Sequence, residues 1–166
     1  MYNSIMFKKI GVIYKESLSF DKDISPHIET ILSHSKELYF HESAEDAPND
    51  FPKLSKDELG DQSDLIIVFG GDGTMLSTAR DFIGYDIPIM GVNFGQVGFL
   101  TDSSENNFKQ SIDDVFNDNF KLEERSFVKA QFDDKEIFGL NEIVLHSGSY
   151  APVSYTHLTL PTICSV

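Results

Sequence analysis

The stretch IIVFGGDGTML, Ile66 to Leu76, sets one carboxylate among three glycines directly behind an apolar run. Two kinds of turn carry an Asp-Gly pair. A tight hairpin needs alternating strands on both sides, and the run before Gly70 is apolar almost throughout. Behind the turn, TMLSTARDFI places Met75, Leu76, Ala79 and Ile83 at helical spacing. The pattern predicts a strand, a turn and a helix. In such a unit glycines let the main chain approach a ligand closely, and the first N–H groups of the helix face an anion.

Asp72 narrows the chemistry. An ionised carboxylate beside a bound phosphate is unfavourable unless a metal bridges them or the carboxylate faces a hydroxyl. Both situations belong to phosphoryl transfer, where catalysis is mostly positioning and charge neutralisation. An Asp at a helix start also serves as an N-cap. Capping alone leaves the paired Gly70 and Gly71 unexplained.

The elements that must hold this turn are legible around it. KKIGVIY, Lys8 to Tyr14, reads as a short buried strand. DKDISPHIETILSHSKEL follows with Ile24, Ile28, Ile31 and Leu32 at helical spacing, and ELYFHE reads as a second strand. The acidic stretch from Glu42 to Asp64 reads as a solvated loop with a turn of helix near Lys56 to Leu59. DLIIVFG is the strongest strand, apolar enough to be covered on both faces. IPIMGVN resembles it, and Ser103 to Asp118 forms an amphipathic helix with Phe108, Ile112, Val115 and Phe116 inward. The alternation predicts an open, mostly parallel α/β sheet with flanking helices over residues 1–118. Residues 119–150, with strand-like runs around DDK, predict the first strands of an incomplete β-rich second domain.

Composition sets outer limits. The chain has 166 residues, 24% charged and 40% hydrophobic, with a formal net charge of −14. That charge argues against nucleic-acid or anionic-membrane partners, which need clustered Lys and Arg. Phosphates would have to be held by backbone dipoles, a few local cations or a metal. No apolar run approaches a membrane span and the start lacks a signal-peptide core, so the expectation is a cytoplasmic protein. Cys164 is the only cysteine, which excludes an internal disulfide.

GGDGT, Gly70 to Thr74, resembles the signature shared by NAD kinases, diacylglycerol and sphingosine kinases and, in variant form, phosphofructokinases. GVNFGQVGFLTD, Gly91 to Asp102, is similar to the NAD kinase pattern of a glycine-spaced loop running into Gly-Phe-Leu. The Gly-Thr-x-Asn-Asp pattern of lipid kinases does not occur. LNEIVLH, Leu140 to His146, resembles the Asn-Glu segment of NAD kinases, and EERSFVKA the strand before it. Three motifs in order, covering roughly Lys8 to Ser149, give the resemblance to the NAD kinase family of bacterial type.

The resemblance implies transfer of the γ-phosphoryl group of ATP to the 2′-hydroxyl of the adenosine ribose of NAD, giving NADP. It implies Asp72 as general base and Gly73 against the dinucleotide through its backbone. Asn141 and Glu142 would bind the ribose and phosphate region, and Phe99 and Leu100 would border the adenine pocket. A divalent metal, magnesium by expectation, would neutralise the donor phosphates. Full-length members tend to be homo-oligomers. The blander readings are polar positions on a half-exposed strand for Asn141 and Glu142, core packing for Phe99 and Leu100, and a helix-surface position for Arg80. His27, His34 and His41 read as surface or satisfied histidines, while His146 follows the Asn-Glu segment toward the site.

Family members continue into a β-rich domain with Asp-Gly and Thr-Gly-Ser-Thr-Ala-Tyr segments, neither of which occurs after the Asn-Glu segment here. The last sixteen residues, APVSYTHLTLPTICSV, contain no Asp, Glu, Lys or Arg. They resemble translated sequencing-adapter sequence; the alternative is a native apolar terminal strand. The expectation is a chain interrupted near Tyr150, a non-native tail at 151–166, and little or no kinase activity for the 166-residue polypeptide. The rival readings are a lipid kinase of the diacylglycerol type and a non-catalytic nucleotide-binding fragment.

Overall fold

A computed structural model of the chain describes residues 7–95, 98–101, 103–132, 134–140 and 143. Asn141, Glu142, His146, Cys164 and the tail from 151 lie outside the described residues. By contact density the chain divides into two units, Met1–Leu122 and Glu123–Val166.

The first unit is built on a six-stranded parallel sheet. Its strands are β1 (Lys9–Tyr14), β2 (Glu37–His41), β3 (Lys53–Leu54), β4 (Leu65–Gly70), β5 (Ile89–Asn93) and β6 (Ser103–Ser104). They lie in the order β3-β2-β1-β4-β5-β6, every adjacent pair parallel. The helices are α1 (Ser25–His34), α2 (Lys56–Gln62), α3 (Asp72–Asp81) and α4 (Phe108–Phe116).

Strand side chains alternate between faces, and each face of this sheet has its own cover. Ile10, Val12, Ile67 and Phe69 pack with Ile28 and Ile31 of α1 and Phe108 and Ile112 of α4. Ile66 and Val68 turn the other way, to Leu59 of α2 and to Phe82 just past α3. Both faces of β4 are therefore dry. All six of its residues are buried, which is why its sequence shows no polar alternation.

The second unit contains the antiparallel pair β7 (Val128–Phe132) and β8 (Lys135–Gly139), with Val128 opposite Gly139 and Phe132 opposite Lys135. This is the hairpin that the DDK turn signalled.

Three sequence expectations need correction. The stretch Glu42 to Asp64 is more than a solvated loop: it holds β3 and a helix that continues to Gln62. Ser55 and Glu58 form a reciprocal capping box there, and Leu59 is wholly buried. Acidic composition masked the element because only one face of so short a helix is apolar. Leu32, grouped by spacing with Ile24, Ile28 and Ile31, is 42% exposed, because those three isoleucines already define the buried stripe and Leu32 lies off it. The helix expected from Ser103 starts at Phe108, after β6 and a single 3-10 turn over Glu105–Asn107.

Candidate functional site

The order of the strands dictates where a ligand can enter. From β1 the chain moves outward to β2 and β3, and it returns to the opposite side of β1 for β4, β5 and β6. The crossovers following β1 and β4 therefore diverge, leaving a crevice past the carboxyl ends of those two strands. Tyr14 and Lys15 end one strand and Gly70 and Gly71 the other, joined by a hydrogen bond from Lys15 N–H to the Phe69 carbonyl at 3.0 Å. The glycine turn lies in this crevice.

Within the turn each glycine has a different task. A Cβ on Gly70 would stand 2.6 Å from Thr74 Oγ1, so only glycine lets the strand pass directly beneath the first turn of α3. Gly71 is the N-cap of α3 with extended backbone, and Asp72 is the first helical residue. Among the described residues no side chain caps this helix. The capping reading of Asp72 is thereby set aside.

The Asp72 carboxylate turns instead to the loop after β5. Its Oδ2 accepts from Phe99 N–H at 2.9 Å and its Oδ1 from Leu100 N–H at 3.1 Å. Of the sequence-predicted site residues, Asp72, Gly73, Phe99 and Leu100 come together at this end of the sheet. Phe99 is 97% exposed, so its ring is not part of the core and stands free beside Asp72. Leu100 is half-buried.

On the other flank of the turn lies a cleft of about 630 Å³. Gly71, Gly73, Thr74 and Ser77 form one wall. Lys15 and Glu16 past β1, His41 at the end of β2 with Ser43 beyond it, and Lys56 at the start of α2 form the other. The Asp72 carboxylate is not among its lining groups. The glycine turn thus separates two surfaces: a cleft with two lysines, and the flank that carries the carboxylate and the exposed aromatic ring. Sequence reading missed Lys15 and Lys56, since a lysine after a strand or at a helix start carries no signal until the topology brings both to one edge.

Asp46, in the acidic segment, shapes the same edge. It accepts hydrogen bonds from the Tyr14 hydroxyl and from Phe20 N–H, the latter at 2.7 Å. Burial, followed by the bond to Asp46, pushes the Tyr14 phenol well above its ordinary range. The Phe20 amide and then the Tyr14 hydroxyl hold the Asp46 carboxyl below its own. The chain leaving β1 is pinned by this pair.

The histidines divide. His34 Nε2 lies 2.8 Å from Asp113 Oδ1, and Ser43 N–H donates to His41 Nδ1 at 3.2 Å, as satisfied histidines should. His27 corrects the expectation: its ring sits among Phe69, Phe94 and Phe108, and its buried Nε2 has no hydrogen-bond partner among the described residues. Arg80 is exposed on α3, away from any described site contact.

Among the described residues no three His, Cys, Asp or Glu side chains gather to cage a metal ion. Glu16 and Asp81 line the cleft singly. Magnesium keeps several waters and binds through one or two carboxylates together with substrate phosphates. These residues fit an ion that enters on phosphates rather than a resident one. Among the described residues no helix is long and apolar enough to cross a membrane.

The family model for the ATP-NAD kinase N-terminal domain matches residues 13–120. An NAD kinase of Marinomonas sp. is 40% identical over 99 residues, 57% of this chain and 34% of the relative. An NAD kinase of Natranaerobius thermophilus is 31% identical over 153 residues, 88% of this chain and 54% of the relative. The chain thus spans between a third and about half of the length of these relatives. Among solved structures, yeast NADH kinase complexed with NADH aligns with a TM-score of 0.64 at 16% identity, covering 83% of this chain and 47% of that one. That likeness speaks for the fold.

Proposed function

The chain belongs to the NAD kinase family, and we propose that it carries the catalytic turn for ATP-dependent phosphorylation of the 2′-hydroxyl of the adenosine ribose of NAD. The observation that supports this reading most is the placement of Asp72. Its carboxylate is fixed by two backbone amides of the loop after β5, on a glycine turn at the carboxyl end of β4, the end of the sheet where α/β proteins take their ligands.

The two flanks of the glycine turn suit the two substrates. Donor phosphates enter the cleft, where Lys15, Lys56, Thr74 and Ser77 meet the first N–H groups of α3. Magnesium bound with the donor would supply charge neutralisation, with Glu16 and Asp81 the residues to hold it. The acceptor ribose lies on the opposite flank, against Asp72 and the backbone of Gly73. Asp72 orients the 2′-hydroxyl and takes its proton late in the transfer, as suits an alcohol of high pKa. The exposed ring of Phe99, with Leu100 beside it, offers the adenine an apolar surface. Asn141 and Glu142 complete the ribose and phosphate contacts in this reading.

The 166-residue polypeptide itself is proposed to turn over little. Its second unit offers a two-stranded sheet in its described part, and such a pair is marginal without further strands. The assembled protein is proposed to be a cytoplasmic homo-oligomer.

The test is kinetic, in the natural full-length protein. Asp72→Asn keeps the shape and removes the base, so kcat for NADP formation falls by about 10²–10⁴ while the fold survives. An unchanged rate removes Asp72 from that role. Transfer of labelled phosphate into lipid rather than NADP would favour the diacylglycerol-type reading instead.

A further inference from the structure

Gly98 stands out from the other glycines of the site. A Cβ added to Gly71, Gly73 or Gly95 would meet nothing within 4 Å. One added to Gly98 would stand 2.0 Å from Oδ1, 2.4 Å from Cγ and 2.7 Å from Oδ2 of Asp72. Every one of these nearest atoms belongs to one carboxylate. Gly70 likewise abuts one side chain, that of Thr74, but the side chain that Gly98 abuts is the one on which the proposed chemistry depends.

The amides on either side of that carboxylate explain the close approach. Phe99 and Leu100 each give one N–H to a different oxygen of Asp72. Here the residue before the amide pair brings its Cα almost into contact with the carboxylate. Each carboxylate oxygen has two lone pairs. The two amides occupy one on each and leave the others to accept from a hydroxyl.

We propose that Gly98 is a positioning residue for phosphoryl transfer: by having no side chain, it lets the Phe99 and Leu100 amides lock the Asp72 carboxylate in its working orientation. This rests on the reading of Asp72 as the base. A methyl group at position 98 displaces the carboxylate before it disturbs the backbone, because a side-chain torsion yields more readily than the main chain on either side. The amide bonds are then lost and the acceptor hydroxyl faces a misdirected base.

The test has a spectroscopic arm and a kinetic arm. In the 166-residue chain, the amide proton shifts of Phe99 and Leu100 follow the titration of the Asp72 carboxyl carbon with a shared midpoint, and Asp72→Asn abolishes their response. Gly98→Ala breaks that coupling while the remaining amide spectrum is retained. In the natural full-length protein the same substitution lowers kcat about a hundredfold and leaves the KM for NAD unchanged. Retained coupling in Gly98→Ala overturns the proposal. Lost coupling with normal kcat also overturns it, and if Asp72→Asn is then equally active the fault lies in the base reading. Should Gly98→Ala fail to fold, Phe99→Pro removes one donor and Phe99→Ala removes only the ring. The proposal expects the proline variant to lose kcat well beyond the alanine variant, and equal losses contradict it.

Discussion

At the scale of single residues, Asp72 and His27 show opposite relations between sequence and surroundings. Asp72 was legible because a carboxylate within three glycines at a strand end has few structural uses. The role of Gly98 was not, because it depends on two segments 26 positions apart meeting in space. His27 was misread as ordinary, since nothing in its own helix announces that three phenylalanines surround it. Burial holds its pKa below the ordinary 6.5, with Glu105 pulling the other way. The native state therefore favours the neutral ring, and the unfolded chain binds the proton more readily. The stability due to this residue is complete above pH 6.5 and is lost as pH falls through the lower native value. Thermal midpoints measured between about pH 7 and about pH 5 should fall for the parent chain and fall less for His27→Phe. Parallel curves would show that His27 does not couple to folding.

At the scale of elements, long periodic segments could be read and short ones could not. β4 and α3 were plain because their patterns are strong and adjacent, and together they position the turn. The strands β3 and β6, two residues each, are defined by pairing rather than by pattern. For α2 the deciding residue is Leu59, the one wholly buried side chain in a segment of mostly charged and polar residues. Leu59→Ala should lower unfolding free energy by about 2–5 kcal/mol, read by denaturant titration. Leu32→Ala, on the exposed side of α1, should change it by about 0.5 kcal/mol or less. Equal costs would mean that α2 is not packed on the sheet as described. The loss at Leu59 should reach the cleft too, because Lys56 lies one turn away on the same helix.

At the scale of the whole molecule, a net charge of −14 opposes any polyphosphate ligand. The proposed site offsets this locally, with two lysines and the amino end of α3 collected at one edge of the sheet. Charge argued against nucleic-acid partners from the sequence alone, but it could not show where the few useful cations gather. The division of the chain has a measurable consequence of its own. β4 lies between two hydrogen-bonded neighbours, whereas β7 and β8 have only each other among the described residues. In hydrogen exchange on the 166-residue chain, amides of β7 and β8 should exchange well ahead of those of β4. Equal protection would mean that the hairpin is stabilised as firmly as the parallel sheet.

The most direct measurement is a crystal structure of the protein with NAD bound. The ribose 2′-oxygen should lie within about 3 Å of a carboxylate oxygen of Asp72, with the Phe99 and Leu100 amides still holding that carboxylate. A 2′-oxygen facing solvent or another base, with Asp72 out of reach, would contradict the assignment.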